Sequence, residues 1–160
     1  MTLDRTKADF MRRAIALSHE MIAQNKGGPF GAVVVKDGAI IAEGFNQVTS
    51  ANDPTAHAEV TAIREACRKL GSFKLEGCEI YTSCEPCPMC LSAIFWARIE
   101  RIYYANTRQD AARIGFDDDE LYHEVARPLA ERTIPNEQLL ADEGRIAFDA
   151  WDAMPDKILY

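Results

Sequence analysis

The sequence has no long apolar run, no internal repeat and no low-complexity segment. No run approaches the roughly 18 residues that a membrane-spanning helix needs, so no membrane partner is predicted. Its 9 glycines and 7 prolines are too few for collagen, a mucin-like stalk or a disordered tail. Residues 1–10 carry two aspartates and lack the apolar core of a signal peptide, which predicts a cytoplasmic protein. The length of 160 residues, without a linker, predicts a single domain over 1–160.

Basic residues are in deficit, and the deficit is confined to one part of the chain. The sequence holds 18 basic and 25 acidic residues, for a net charge of −7. Residues 110–160 hold 13 acidic and 5 basic residues, whereas 1–109 are close to neutral. A polyanion such as tRNA would be repelled by this C-terminal third. We therefore expect a small-molecule substrate and no nucleic-acid partner.

Histidine is scarce, and the cysteines are odd in number and unevenly spread. There are three histidines and five cysteines, and Cys84, Cys87 and Cys90 lie close together. A cytoplasmic protein keeps its thiols reduced, so this cluster indicates metal chemistry rather than disulfide bonds.

Periodicity and turn signals predict an alternation of helices and strands. The first predicted helix is 4–25, in which Phe10, Ala14, Leu17 and Met21 recur at helical spacing on one face. The other predicted helices are 53–70, 86–97, 118–126 and a last amphipathic helix around Ile146, Ala150 and Met154. The predicted strands are 30–36, 40–42, 78–82, 101–105 and a short one at 138–140, with a loop over 44–53. Asp37-Gly38 is a two-residue hairpin signal.

This order predicts an α/β fold. The hairpin gives an antiparallel pair, and the strand–helix–strand unit at 78–105 gives a parallel pair through a right-handed crossover. The expected architecture is a three-layer α/β/α sandwich around a mixed sheet of about five strands. Val60, Ile63, Cys67 and Leu70 are the predicted buried face of the second helix.

The strongest chemical pattern combines His57-Ala-Glu59 with Pro86-Cys87-Pro-Met-Cys90. Both motifs lie at predicted helix starts, where the helix dipole lowers thiol pKa values. One histidine and two cysteines suit one Zn²⁺ per chain, and three protein ligands leave the fourth vertex for a water or hydroxide. We therefore predict a catalytic zinc site formed by His57, Cys87 and Cys90.

Glu59 lies two residues after the histidine, off the ligand direction in a helix. A carboxylate there can take the proton of the activated water and deliver it to a leaving nitrogen. Two thiolates make the zinc a weaker acid than three histidines would, so a dedicated base is useful. Glu59 is the predicted catalytic residue.

Other residues have simpler interpretations. A closed structural zinc would need a fourth ligand, and neither His19 nor His123 has ligand spacing. Cys67, Cys78 and Cys84 are predicted to be buried structural thiols. Phe95 and Trp96 are predicted by default to lie in the core.

Together the two motifs are the signature of the zinc nucleobase deaminases, and the sequence resembles the cytidine deaminase superfamily. Within it, the chain is similar to the small bacterial guanine deaminases over almost its whole length. The similarity is carried by GGPFGAV at 27–33, NDPTAHAEVTAIR at 52–64, YTSCEPCPMC at 81–90, GFDD at 115–118, ERTIP at 131–135 and the terminal Tyr160.

The resemblance implies zinc-dependent hydrolysis of guanine to xanthine and ammonia, in purine catabolism or salvage. It implies that Asn46 hydrogen-bonds the purine, that Phe30 and Trp96 flank its ring, and that Asp118 reads the ring edge. A carboxylate can accept from the N1–H and the 2-amino group of guanine, whereas adenine lacks that N1–H. The resemblance also implies a homodimer in which segment 135–160 is exchanged between subunits, so that Tyr160 closes the partner's pocket.

Other activities on the same scaffold remain open at this point. A guanosine deaminase shares the GFDD motif and the terminal tyrosine, and only room for a ribose separates it from a guanine deaminase. Another small-molecule aminohydrolase, for example one acting on triazines, is a further alternative. A tRNA adenosine deaminase shares the zinc motifs but requires a basic surface. A zinc-stabilised binding protein would not need Glu59.

Overall fold

The computed structural model describes residues 6–160. The chain divides after Tyr122 into two compact units. The helices are α1 (Lys7–Ala23), α2 (Val48–Ala51), α3 (Ala58–Leu70), α4 (Pro88–Trp96), α5 (Arg108–Arg113), α6 (Asp118–Ala126) and α7 (Ala141–Asp152), with a 3₁₀ turn at Leu129–Glu131. The strands are β1 (Gly31–Lys36), β2 (Ala39–Phe45), β3 (Cys78–Cys84) and β4 (Arg101–Asn106).

The sheet is mixed, as the sequence predicts. Its strand order is β2-β1-β3-β4, with antiparallel β1–β2 and β1–β3 pairs and a parallel β3–β4 pair. Asp37 and Gly38 both have positive φ, of 49° and 73°, which is the geometry of the predicted two-residue hairpin.

Helices cover both faces of the sheet, which confirms the three-layer α/β prediction. On one face, α1 buries the predicted stripe of Phe10, Ala14, Leu17 and Met21, and the first three of these pack with residues of β1 and β3. On the other face, α3 and α4 form a second core with the same strands. Thr6 and Asp9 close a capping box at the start of α1, whereas the predicted helix start at 4–5 lies outside the described residues.

The sheet has four strands among the described residues, not about five. The predicted strand at 138–140 is wrong because Leu140 has a left-handed φ of 53° and forms the N-cap of α7. Leu139 and Leu140 are also exposed. The last helix exists but ends at Asp152, before Met154, and buries none of its residues. Helix α5 was not predicted.

The second predicted helix begins later than expected. Asp53 Oδ1 accepts a hydrogen bond from the Thr55 amide, forming a turn, and α3 begins at Ala58. The predicted loop at 44–53 contains the end of β2 and the short helix α2.

The buried face of α3 is also shifted, to Ala58, Glu59, Ala62, Ile63 and Ala66, while Leu70 is exposed and Cys67 half-buried. Gly44 explains the small residues: a Cβ there would lie 2.3 Å from the Ala58 carbonyl oxygen. The helix therefore approaches β2 more closely than large side chains allow.

Helix α4 is apolar on a face that its own unit does not cover. Cys90 and Ile94 are buried, whereas Leu91, Phe95 and Trp96 are exposed. The prediction that Phe95 and Trp96 lie in the core is therefore wrong.

No helix in the part of the chain that the structure describes has the length and apolarity to cross a membrane. The prediction of one domain over 1–160 stays a prediction.

Candidate active site

Two helix starts place the three predicted zinc ligands together. His57 is the N-cap of α3 and Cys87 is the N-cap of α4, and both have extended backbone conformations. Their carbonyl groups accept the first helical hydrogen bonds, from Thr61 and Leu91. Proline at position 88 suits the first turn of α4, and Cys90 lies one turn from its start. The site thus rests on the starts of two helices.

The distances within this group fit a zinc ion. His57 Nδ1 lies 3.6 Å from Cys87 Sγ and 3.5 Å from Cys90 Sγ. With Zn–N and Zn–S bonds of about 2.1 and 2.3 Å, the N···S edge of a tetrahedron is about 3.6 Å. Among the described residues, these three form the group whose ligand atoms converge within 4.8 Å of one another. One imidazole and two thiols are also ligands that zinc prefers.

Protons in this group are shared between neighbours. The pKa of Cys87 is lowered well below its usual range, because its thiolate accepts from the Cys90 thiol and interacts with His57. Donation to Cys87 and burial raise the pKa of Cys90. The hydrogen bond to Cys87 also raises the pKa of His57. One thiolate is therefore already favoured at neutral pH, and a cation would release the second proton.

Glu59 lies in the first turn of α3 and is only 6% exposed. Burial raises its pKa, and the Cys87 thiolate adds to that effect. Its Oε1 accepts a hydrogen bond from Thr82 Oγ1 at 3.2 Å, and its Oε2 lies 3.4 Å from Cys90 Sγ. The carboxyl group is therefore held beside the metal-ligand triad, in a dry environment that favours proton uptake.

A cavity of about 300 Å³ opens onto this group. That volume is at the small end of the roughly 300–1,000 Å³ of ligand pockets. Its lining comes from the loop before β1, the segment after β2, the starts of α3 and α6, and the stretch from the end of β3 to the start of α4. The lining residues are Gly28, Phe30, Asn46, Val48, Thr49, Pro54, His57, Glu59, Cys84, Glu85, Cys87, Phe116 and Asp118.

Asn46 lines the cavity and is 5% exposed. Its Oδ1 accepts from the amides of Gly28 and Val48, at 3.3 and 3.2 Å. These two bonds fix the orientation of the carboxamide, so Nδ2 is the group that can donate to a ligand. Gly27 makes this packing possible, because a Cβ there would lie 1.9 Å from the Asn46 carbonyl oxygen.

Aromatic rings form one wall of the cavity, and only one of them was predicted. Phe30 meets Phe116 in an edge-to-face pair, with centroids 4.7 Å apart. Trp96 lies at the exposed end of α4, is 55% exposed and does not line this cavity. Sequence reasoning missed Phe116, although it lies within the GFDD motif, two residues before Asp118.

Asp118 is the first residue of α6 and also lines the cavity. Burial raises the pKa of this carboxyl group, followed by the nearby Cys87. Tyr160 lies in the second unit and is 68% exposed. The structure therefore brings together His57, Glu59, Cys87 and Cys90 with Phe30, Asn46 and Asp118 around one cavity.

A group of polar contacts holds α6 and the loop before Cys87. Tyr122 donates a hydrogen bond of 2.7 Å to the carbonyl oxygen of Pro86. The Arg108 guanidinium lies 4.4 Å from the centre of the Tyr122 ring and pairs with Asp119 at 3.3 Å. The backbone amide of Arg108 donates to Glu85. These contacts tie the start of α5 and the helix bearing Asp118 to the metal-ligand loop, and no sequence signal indicated them.

A three-layer α/β fold with a His-Cys-Cys triad and a buried glutamate is the arrangement of the zinc-dependent nucleobase deaminases. The chain belongs to this class: residues 4–106 match the family of the cytidine and deoxycytidylate deaminase zinc-binding region.

Among individual relatives, the chain is 56% identical to guanine deaminase of Bacillus subtilis (strain 168), over 94% of this chain and 97% of the relative. The X-ray structure of guanine deaminase from Bacillus subtilis superposes with a TM-score of 0.94 at 54% identity, covering 98% of this chain and 99% of that one. A tRNA-specific adenosine deaminase of Aquifex aeolicus is 48% identical, over only 57% of this chain and 61% of the relative.

Proposed function

We propose that the protein hydrolyses guanine to xanthine and ammonia. The observation that carries this proposal is the single cavity that joins the His57-Cys87-Cys90 triad, the buried Glu59 and the Asp118 carboxyl group. The first two features provide hydrolytic deamination, and the third provides an acceptor for the two ring-edge donors of guanine. The full-length similarity to a guanine deaminase supports the same substrate.

We assign a role to each group around the cavity. His57, Cys87 and Cys90 would hold zinc, which when bound activates water as a nucleophile. Glu59 takes a proton from the water and delivers it to the leaving 2-amino nitrogen, so that a C2–O bond replaces the C2–N bond and ammonia departs. Its dry position and raised pKa suit a group that must both accept and return a proton.

The remaining cavity residues orient the base. Nδ2 of Asn46 donates to an acceptor of the purine, and Phe30 packs against the ring together with Phe116. Asp118 accepts from the N1–H and amino edge. Trp96 has no role in this cavity, and its exposed position suits a subunit contact instead.

A free base is a better fit than a nucleoside or a tRNA. The cavity is small, which leaves little room for a ribose. The acidic C-terminal third disfavours a polyanion, and the tRNA-specific relatives match only part of the chain. We therefore propose no nucleic-acid partner and place the enzyme in the cytoplasm, where its five free cysteines would stay reduced.

The direct test is ammonia release by the zinc-loaded protein from guanine, guanosine, adenine, cytosine and cytidine in parallel. We expect turnover of guanine, and a loss of at least about 10² in rate for Glu59→Gln with zinc retained. Turnover of guanosine without guanine would move the enzyme to nucleosides. A Glu59→Gln variant with the full rate would contradict the role of Glu59 as the proton carrier.

We also propose that the protein is a homodimer with an exchanged C-terminal segment. Helix α4 presents Leu91, Phe95 and Trp96 to solvent, and the second unit leaves many large apolar side chains exposed. These are Val125, Leu129, Ile134, Leu139, Leu140, Ile146, Phe148, Trp151, Met154, Ile158, Leu159 and Tyr160. Apolar surface of this extent is typical of a subunit interface, and Tyr160 would close the partner's cavity.

Mixing two inactive variants tests the exchange. In a mixed dimer of Glu59→Gln and Tyr160→Ala chains, exchange would reunite an intact Glu59 with the partner's intact tyrosine in one site. We therefore expect activity after the two chains are unfolded and refolded together, and none when each is refolded alone. If Tyr160 serves its own chain, every site in the mixture keeps one defect and no activity returns.

A further inference from the structure

The side chains of β3 alternate between the two faces of the sheet. Cys78, Ile80, Thr82 and Cys84 point to the side on which α3 and α4 pack, where Cys78 and Ile80 belong to the apolar core. Thr82 is the one hydroxyl in this row of four and is 1% exposed. A valine would fill the same space without burying a polar atom, so the hydroxyl calls for an explanation.

The hydrogen-bond partner of the Thr82 hydroxyl group explains its presence. Thr82 Oγ1 donates a 3.2 Å hydrogen bond to Oε1 of Glu59, from the strand that lies beneath the start of α3. Threonine is β-branched and sits in the middle of the sheet, so its χ1 has little freedom. Glu59 has a longer side chain with three rotatable bonds. The strand therefore provides a fixed donor for an otherwise adjustable carboxyl group.

The second polar contact of the Glu59 carboxyl group is with a thiol rather than a hydroxyl. Cys90 lies 3.4 Å from Oε2, on the opposite oxygen from Thr82. A thiolate that ligates a metal has no proton to donate, so this bond cannot persist in the zinc-loaded protein. Of these two donors, Thr82 then remains, and Oε2 stays directed toward the metal-ligand triad.

We propose that Thr82 is a positioning residue for deamination: its hydroxyl anchors Oε1 of Glu59 so that Oε2 faces the reacting groups. This inference rests on the proposed function, in which Glu59 carries the proton. Because rates respond steeply to a displacement of about 1 Å in a catalytic group, one anchoring hydrogen bond can govern turnover without touching the substrate.

The test compares zinc-loaded Thr82→Val and Thr82→Ser with the parent protein. We expect Thr82→Val to lower kcat for guanine by about 10- to 10²-fold, with KM and zinc content unchanged. Thr82→Ser keeps the donor and should recover most of the rate. The matched control is Ser83→Ala, a buried hydroxyl on the other face of β3 that accepts from the Gly31 amide. It should lower thermal stability without lowering kcat.

A double variant separates positioning from a structural role. If Thr82 acts through Glu59, Thr82→Val should cause no further loss in a Glu59→Gln background. An additional loss there would overturn the proposal, as would full activity of Thr82→Val, equal losses in the Val and Ser variants, or loss of zinc.

Crystal structures of the three zinc-loaded proteins provide a readout independent of turnover. The Glu59 carboxyl group should remain bonded to residue 82 in the parent and Thr82→Ser, and should adopt another orientation in Thr82→Val. An identical Glu59 conformation in all three would overturn the anchoring. If the parent releases no ammonia from guanine, the proposed function fails, whereas these structures still decide whether Thr82 holds Glu59.

Discussion

Asp118 offers the sharpest test of how the base is recognised. Asp118→Asn keeps the size and shape of the side chain but replaces one carboxylate oxygen with an NH₂ group. The ring edge of guanine presents only donors at N1 and the 2-amino group. The substitution therefore removes one acceptor and places a donor opposite a donor, while the metal-ligand triad is left intact.

The magnitude follows from the environment of the carboxyl group. Burial is the first cause of the raised pKa of Asp118, and the side chain is half-buried, so water competes less for its oxygens than it would at the open surface. A hydrogen bond to a charged group in such a place contributes about 1.5–3 kcal/mol. At about 1.4 kcal/mol for each factor of ten, kcat/KM for guanine should fall by about 10- to 150-fold.

Glu120→Gln is the matched control. It removes the same charge from the same first turn of α6, with the same loss of about 0.3–1 kcal/mol from the helix dipole. The Glu120 side chain is exposed and does not line the cavity. Steady-state kinetics, zinc content and thermal melting would be measured for both variants. Equal kcat/KM losses in the two, or an unaffected Asp118→Asn, would refute the assignment of Asp118 to the ring edge.

Three further predictions concern the metal, the helix that bears Asp118, and acid stability. Cys87→Ala should bind far less than one zinc ion per chain and lose activity. Cys78→Ala, at another buried cysteine on the adjoining strand, should keep both zinc and activity. Stoichiometric zinc in Cys87→Ala would mean that the ligands are misassigned. Tyr122→Phe removes the donor to the Pro86 carbonyl and should cost about 0.5–1.5 kcal/mol of stability. Tyr122→Phe should also raise KM for guanine with zinc retained. Tyr104→Phe, at an exposed tyrosine, should change neither the stability nor KM. An unchanged melting temperature and KM in Tyr122→Phe would show that the Tyr122–Pro86 hydrogen bond does not hold α6. Hydrogen bonds from Thr107 lower the pKa of Asp110 below 3.8, so its contribution to stability is complete above that pH and is lost as the pH falls through the lowered value. Asp110→Asn should therefore flatten the acid side of the stability curve, and curves of equal steepness would contradict this role of the capping box.

The sequence predicted most reliably what depends on local chemistry. The α1 stripe, the Asp37-Gly38 hairpin and the crossover from β3 to β4 follow from periodicity and turn residues alone. The metal-ligand triad was also predictable from the sequence. Neighbouring prolines and the spacing of the two motifs indicate helix starts, and His57 and Cys87 lie at those starts in the structure. The predictions failed where tertiary contacts decide. The start of α3 moved because Asp53 forms its own turn, and its buried face moved because Gly44 brings β2 into contact with the helix.

The cavity wall illustrates the same limit. Phe116 meets Phe30 where the chain turns through Gly115, with its φ of 95°, shortly before α6. Trp96 and Phe116 are both aromatic residues near a motif, and neither composition nor spacing distinguishes them. Likewise, the leucines at 139 and 140 look like a strand, yet their side chains remain exposed within the part of the chain that the structure describes.

The location of the reactive groups has a common physical origin. A helix start has unpaired amides and a positive dipole end, so it favours thiolates and carboxylates placed there. Helices α3 and α4 both begin beside the carboxyl end of β3, and this places His57, Glu59 and Cys87 at one point. The same strand end provides Thr82 from below. A buried carboxyl group at such a point is stabilised by each hydrogen-bond donor that reaches it, and the sheet provides one of them, because Thr82 Oγ1 donates to Oε1. The sheet therefore fixes the orientation of the Glu59 carboxyl group, which the helix alone would leave adjustable. A change at residue 82 should consequently lower turnover more than it lowers zinc binding.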